Sequence, residues 1–498
     1  MADEGRKRKM QRKKGANLMK NLFKKIGALL VAAVMVLSMC TAVFAENGAT
    51  ITLKNFDKAN KVEYMQIIQK DETKTSGWAF ANGAGACFTA AFGLNDSDDA
   101  QQQVIWGLIQ YKDNSVKLPT GVTATEATAA KIDLALSKVA ALNVFTEATN
   151  KTSIDVSVAG VYAIKAEETG FTYKTATAYV GFGEPYPALT GAEVTAKKSP
   201  TSVDKTVADE DHVVAIGDIV IYTIKAYVPF IDAANANNRI FTITDKITGA
   251  DYYLEGAGSV SSVKMEGTKN PVGSIVVDSE DATKFTVDLS SLVASTDNPN
   301  AGKEITVTYT AKVNALTVEN KAGSHVANTE YGGNNVPVQL FTGEITLVKY
   351  GDNKTDNVLA NAEFEVYKDG AVTPLEFKLQ ENGKYRYAPN AEGTTTTVIT
   401  NTEGKVVVEG LNVGSYHFKE TKAPTGYSIN TDGKTINLTQ TGVATEIIKN
   451  SDTLNDTKLN ALPSTGGMGT YLFTIIGVVV MAGAAGAFFI SRRKGSEE

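Results

Sequence analysis

The chain has 498 residues, with 49 lysines and arginines against 55 aspartates and glutamates, two cysteines and three histidines. The formal charge of −6 argues against a nucleic-acid partner, and residues 46 to 465 alone hold 36 basic and 51 acidic side chains, a net −15. Only Cys87 lies in that central part, so no internal disulfide can form there. His212, His325 and His417 show no metal-ligand spacing, so no metal or other cofactor is expected.

Residues 1–45 read as an export signal. Ten basic residues between Arg6 and Lys25 precede an apolar segment from Ile26 to about Val36, and Val43-Phe44-Ala45 offers small residues to a peptidase. Cleavage is expected after Ala45.

A first module, residues 46–190, mixes strand-like pieces (Ile51 to Leu53, Val62 to Gln69, Val104 to Ile109, Val161 to Ala166) with one helix over Thr125 to Leu142. In that helix Ala129, Ile132, Leu136, Val139 and Ala140 recur at three- and four-residue spacing. Cys87, between Ala86 and Phe88, reads as a small core residue, with a thioester nucleophile as the alternative.

The second module, residues 191–342, alternates with period two: Ile219, Ile221 and Thr223, then Phe241, Ile243 and Asp245, then Ile305, Val307, Tyr309 and Ala311. With glycine- and asparagine-rich turns this indicates an antiparallel sandwich. The third module, residues 343–452, is similar and shorter. The expected fold is mainly β, with tandem immunoglobulin-like sandwiches between an N-terminal signal helix and a C-terminal transmembrane helix.

Several polar residues share the apolar phase of these strands. Lys349 is in phase with Ile345 and Leu347, Glu420 with Tyr416 and Phe418, and Asn450 with Ile448. A half-buried strand would turn all three inward, which is costly unless they satisfy one another. Burial lowers an amine pKa and raises a carboxyl pKa, so Lys349 could attack the Asn450 side-chain carbonyl while protonated Glu420 polarises it. The products would be an isopeptide bond and ammonia. In the second module Lys205 is in phase with Val203 and Val207, and Asp245 with Ile243. Asn320, in phase with Leu316 and Val318, is the preferred partner, and Asn328 the alternative.

The C-terminal part, residues 453–498, carries Leu462-Pro463-Ser464-Thr465-Gly466, an apolar run from Tyr471 to Ile490, and Arg492-Arg493-Lys494. The run is long enough to cross a bilayer, and the basic cluster fixes its cytoplasmic end.

These segments resemble the sortase-assembled major pilins of Gram-positive bacteria. LPSTG is similar to the LPxTG sorting signal, Tyr416 to Tyr427 (YHFKETKAPTGY) resembles the pilin E-box, and Val358 to Tyr367 resembles the first hairpin of a collagen-adhesin B-type (CnaB) domain. Glu63 to Phe80 resembles the opening of the family's N-terminal domain. The resemblance implies bond-forming sets at Lys349, Glu420 and Asn450 and at Lys205 and Asp245. It also implies cleavage between Thr465 and Gly466, with Leu462 and Pro463 read by a sortase, and a transient membrane anchor. The threonyl carbonyl would pass to Lys198, or alternatively Lys197, of the next identical subunit. Accessory pilins and peptidoglycan are the further partners implied. The chain would be a structural sortase substrate and not a turnover enzyme. A monomeric wall-anchored adhesin is the competing reading.

Overall fold

The computed structural model describes residues 44–45, 48–112, 114–182, 188–231, 239–294, 298–327, 329–331, 337–459 and 469–494. The protein is mostly β. Its contacts divide it into two units, one of residues 1–210 and 218–340, the other of residues 211–217 and 341–498.

Within the first unit, the N-terminal part is built on a seven-stranded sheet whose centre pairs Lys61–Lys70 with Gly160–Glu167, and that in turn with Ala176–Phe182. A three-stranded sheet places Ala49–Lys54 between Ala192–Thr195 and Ser153–Val156. The alternating burial of Ala49, Ile51 and Leu53 follows from the strand's period of two. Phe44–Ala45, at the expected cleavage point, forms a two-residue strand on Leu189–Thr190; the leader before it lies outside the described residues.

Among the described residues, three helices stand here where the sequence suggests one. The expected helix is Ala129–Ala140, capped by the Thr128 side chain accepting from the Lys131 N–H. Ala84–Ala91 carries Cys87, which is buried and whose thiol is pushed up by that burial. Asp98–Lys112 replaces the strand expected over Val104 to Ile109. Val104, Ile105, Leu108 and Ile109 are fully buried, a pattern that a short apolar run shares between strand and helix. The acidic first turn, Asp98 and Asp99, and the Ser97 hydroxyl accepting from the Ala100 N–H are what tip it to helix.

The second sandwich closes this unit. One sheet pairs Asp204–Val207 with Ile219–Tyr227, and that strand with Glu304–Val313. The other places Phe241–Thr248 between Lys284–Asp288 and Thr317–Val326. Tyr222, Ile243, Val307, Tyr309 and Val287 fill the space between them.

In the second unit, Gly343–Gly351 lies between Lys405–Leu411, antiparallel, and the last strand, Ile448–Asp456, parallel. The facing sheet runs Thr397–Ile399, Glu363–Lys368, Gly414–Lys422, Lys434–Leu438. Its core includes Ile345, Leu347, Phe364, Val366, Val408 and Phe418. The segment Asp211–Gly217 belongs to this unit, bonded to it through Val214 N to Phe341 O (2.9 Å), Ile216 N to Gly410 O (3.0 Å) and Ala444 N to Asp211 O (2.9 Å).

The expected membrane-spanning run forms the helix Gly469–Lys494. Among the described residues no helix is long and apolar enough to cross a membrane; only side chains 474–486 of this one are described. The LPSTG motif lies outside the described residues.

Candidate cross-linking sites

The edge strand Asp204–Val207 turns Lys205 inward beneath the central strand Ile219–Tyr227. There the Lys205 ammonium contacts the Asp245 carboxylate and donates to Tyr309 Oη and Asn320 Oδ1, both at 2.6 Å. Tyr252 and Tyr309 donate to Asp245 Oδ1 at 2.8 and 2.9 Å, and Asn320 Nδ2 donates to Tyr309 Oη at 2.9 Å. The rings of Tyr222 and Tyr309 lie 5.1 Å from the amine. Asn320 is fully buried and Asp245 nearly so. Asn328 lies outside the described residues.

Burial drives both ionisable groups toward neutrality. It pushes the Lys205 amine down to about 8 against the pull of Asp245, and raises the Asp245 carboxyl despite Lys205 and the two tyrosines. The amine, the carboxyl group and a carboxamide are thus held together in one buried pocket. For a chain trapped before bonding, closure should be fastest where the pair shares one proton. The rate is expected to pass through a maximum where the pair holds one proton, to fall at high pH as that proton is lost, and to fall in acid as the pair takes up a second. Refolding over a pH series, read by intact mass, checks this; a rate rising monotonically to pH 11 would contradict it.

The third module differs from expectation. Lys349 is fully buried, with its ammonium 3.1 Å from Glu420 Oε2, in contact with Asp456 Oδ1, and 5.5 Å from the centre of the Phe364 ring. Asn450 is exposed and donates from Nδ2 to Asn437 O at 2.7 Å. It cannot reach Lys349: in the parallel ladder Asn450 pairs with Ile345, while Lys349 pairs with Leu454. Four residues of strand separate those positions, about 13 Å. The residue set against Lys349 is Asp456, opposite Gly351 and 1% exposed.

The inward phase of the last strand was the expected one, since residues 448, 450, 454 and 456 share it. Depth was not legible: the first half of Ile448–Asp456 is largely exposed, and only Leu454 and Asp456 on this phase reach the core. A search of the same phase for any carbonyl-bearing side chain would have found Asp456. Burial raises the Glu420 carboxyl, opposed by the Asn430 N–H bonded to it at 2.7 Å and by Lys349. Glu420 Oε1 and Asp456 Oδ2 are buried without a hydrogen-bond partner among the described residues. Such oxygens are costly, and condensing Asp456 with Lys349 would remove one carboxylate oxygen from the pocket.

Lys198 opens the short strand Lys198–Pro200, paired with Phe171–Tyr173. Its ammonium is 2.6 Å from Glu168 Oε2 and 4.4 Å from the centre of the Phe171 ring. Lys197 is half-buried, and burial, then the neighbouring Lys174, pushes its amine down. Both lysines line a cavity of about 630 Å³ together with Asn55, Asp57, Lys58 and Phe230.

Comparison with known proteins supplies the remaining constraints. Residues 343–452 match the family described as a prealbumin-like fold domain, SpaA, and residues 455–497 match the LPXTG cell wall anchor motif. A curated relative, the trypsin-resistant surface T6 protein of Streptococcus pyogenes serotype M6, is 34% identical over 117 residues, 21% of each chain. The alignment thus spans about a fifth of that relative's length. Among solved structures, the T6 backbone pilin of serotype M6 Streptococcus pyogenes is 16% identical with a TM-score of 0.49, covering 79% of this chain and 80% of that one. The full-length major pilin SpaD of Corynebacterium diphtheriae is 15% identical with a TM-score of 0.46, covering 84% and 98%.

Proposed function

We infer that this chain, which carries a prealbumin-like SpaA domain and an LPXTG cell wall anchor, is a sortase-assembled backbone pilin, the structural subunit of a wall-anchored surface fibre. In this reading a sortase cuts after Thr465 and passes the threonyl carbonyl to a lysine of the next subunit, and repetition gives a head-to-tail polymer. The apolar helix holds each subunit at the membrane until that transfer.

The observation that carries the reading is the burial of two lysines, each against an acid and an acyl acceptor, in successive sandwiches ahead of the anchor signal. Their purpose is covalent. In the second module Lys205 Nζ attacks Asn320 Cγ, Asp245 relays the proton, and ammonia leaves. In the third, Lys349 Nζ attacks Asp456 Cγ, Glu420 relays the proton, and one Asp456 oxygen leaves as water. Each group acts once on its own chain, so these are self-cross-linking sites.

Two measurements test this. The folded subunit should weigh about 35 Da less than its sequence, one ammonia and one water. Incubated with a sortase, it should give a ladder that survives boiling in detergent, and Thr465→Ala should abolish that ladder. A full-weight subunit would remove the internal bonds from the account. A cleaved but never laddered one would mark a monomeric wall-anchored protein.

A further inference from the structure

We propose that Glu168 is the base that deprotonates Lys198 during subunit joining, so that the acceptor site is a built dyad in a pocket. This rests on the pilin reading above.

The turn around Glu168 brings three contributions to one point. Glu168 precedes the strand Phe171–Tyr173, which pairs with Lys198–Pro200 in the register Lys198 to Tyr173. The Glu168 side chain is only 8% exposed, bonded by the Lys198 ammonium at 2.6 Å and by the Tyr173 hydroxyl. The Lys198 amine also sits 4.4 and 5.6 Å from the ring centres of Phe171 and Tyr173. Aromatic faces hold a cation without competing for its protons. The Lys198 side chain keeps 22% of its surface exposed, within the cavity that Asn55, Asp57, Lys58 and Phe230 help to line.

Lys197 offers no such arrangement. No carboxylate lies within ion-pair distance of it among the described residues, and the charged groups acting on it are Lys174 and Asp133. Those two pair with each other at 3.2 Å. Its amine has a neighbouring charge field but no group placed to take a proton.

The chemistry needs such a group. The Lys198 ammonium first gives one proton to solvent, and the neutral amine then attacks the thioester carbonyl that a sortase cysteine forms with Thr465. The tetrahedral adduct carries an ammonium nitrogen that must lose one proton before the C–S bond breaks. Bonded to Lys198 beforehand, the Glu168 carboxylate takes that proton. The amide forms and the cysteine thiolate leaves, to be reprotonated by the proton that Glu168 returns through solvent. Burial raises the Glu168 carboxyl, but the bonds from Lys198 and Tyr173 outweigh it and lower the group, which keeps it ionised. A positioned base of this kind contributes about 100-fold or more.

The test uses the full mature subunit as acceptor and a labelled synthetic peptide containing Leu-Pro-Ser-Thr-Gly as donor, with a sortase. Label should appear on Lys198, and Lys198→Ala should take none. Glu168→Gln should be about 100-fold slower at saturating subunit, with the half-saturating concentration unchanged, and Glu168→Asp should recover part of the rate. Tyr173→Phe, which only frees one Glu168 oxygen, should cost several-fold and guards against a folding artefact. Label on Lys197 or any other lysine, or wild-type rates for Glu168→Gln, would overturn the dyad while leaving the pilin reading intact. A wild-type subunit that takes no label would remove both.

Discussion

Replacing Lys349 by alanine should erase the third module's share of the mass deficit and lower its unfolding temperature by on the order of 20 °C. Two losses combine. The Glu420 and Asp456 carboxylates, both buried, would face each other without a cation, which costs about 3–5 kcal/mol. The tie between residues 107 apart in sequence would also go, and closing a loop of that size is worth about 4–5 kcal/mol through the unfolded chain. Asp456→Ala should lose the same bond but leave Lys349 its ion pair with Glu420, a milder defect. Asp456→Asn should keep a bond and expel ammonia, so its deficit falls by about 1 Da. Asn450→Ala should change stability by less than about 1 kcal/mol and mass deficit not at all, because the side chain is exposed. Thermal unfolding and intact mass decide these together. A deficit that survives Asp456→Ala and disappears in Asn450→Ala would restore the asparagine as partner.

That contrast shows what could be read in the sequence. Period-two alternation has a definite parity, so the inward phase of Lys205, Asp245, Asn320, Lys349 and Glu420 was available from strand pattern alone, and all five are buried or nearly so. Parity says nothing about how far a strand overhangs its partner. The last strand begins beside Gly343, at the rim of the sandwich, and becomes deep only near Leu454. Asn450 therefore satisfied the pattern and failed the geometry. The strand expected over Val104 to Ile109 failed for another reason: a run buried on all sides has no polar face to reveal its period. Tyr309, which holds the Asp245 carboxylate from 64 residues away, and Glu168, which holds Lys198 from 30 residues away, could not be assigned those roles from spacing, because distant parts of the chain bring them in. The pairings that would reveal them are long-range register, set by the whole sheet.

Pulled between Lys198 and Thr465, as a subunit in a fibre would be, the bonded chain should lengthen by no more than about 160 Å before an amide breaks, against about 900 Å for the same stretch unbonded. The reason is topological. The proposed bonds from Lys205 to Asn320 and from Lys349 to Asp456 would close loops over sequence separations of 115 and 107, and tension would pass through each amide without entering its loop. Only residues 198–205, 320–349 and 456–465 remain in line. With Lys198 as the joining residue, the module before it would lie outside the loaded path and would need no such tie. Single-molecule extension of tandem subunits tests this directly. Asn320→Ala should add an unfolding step of about 400 Å and Asp456→Ala one of about 370 Å, each about 3.4 Å per released residue. Wild-type subunits that show either step would mean that the corresponding amide is absent, and the lysines would then be ordinary buried ion pairs whose strands separate one hydrogen bond after another.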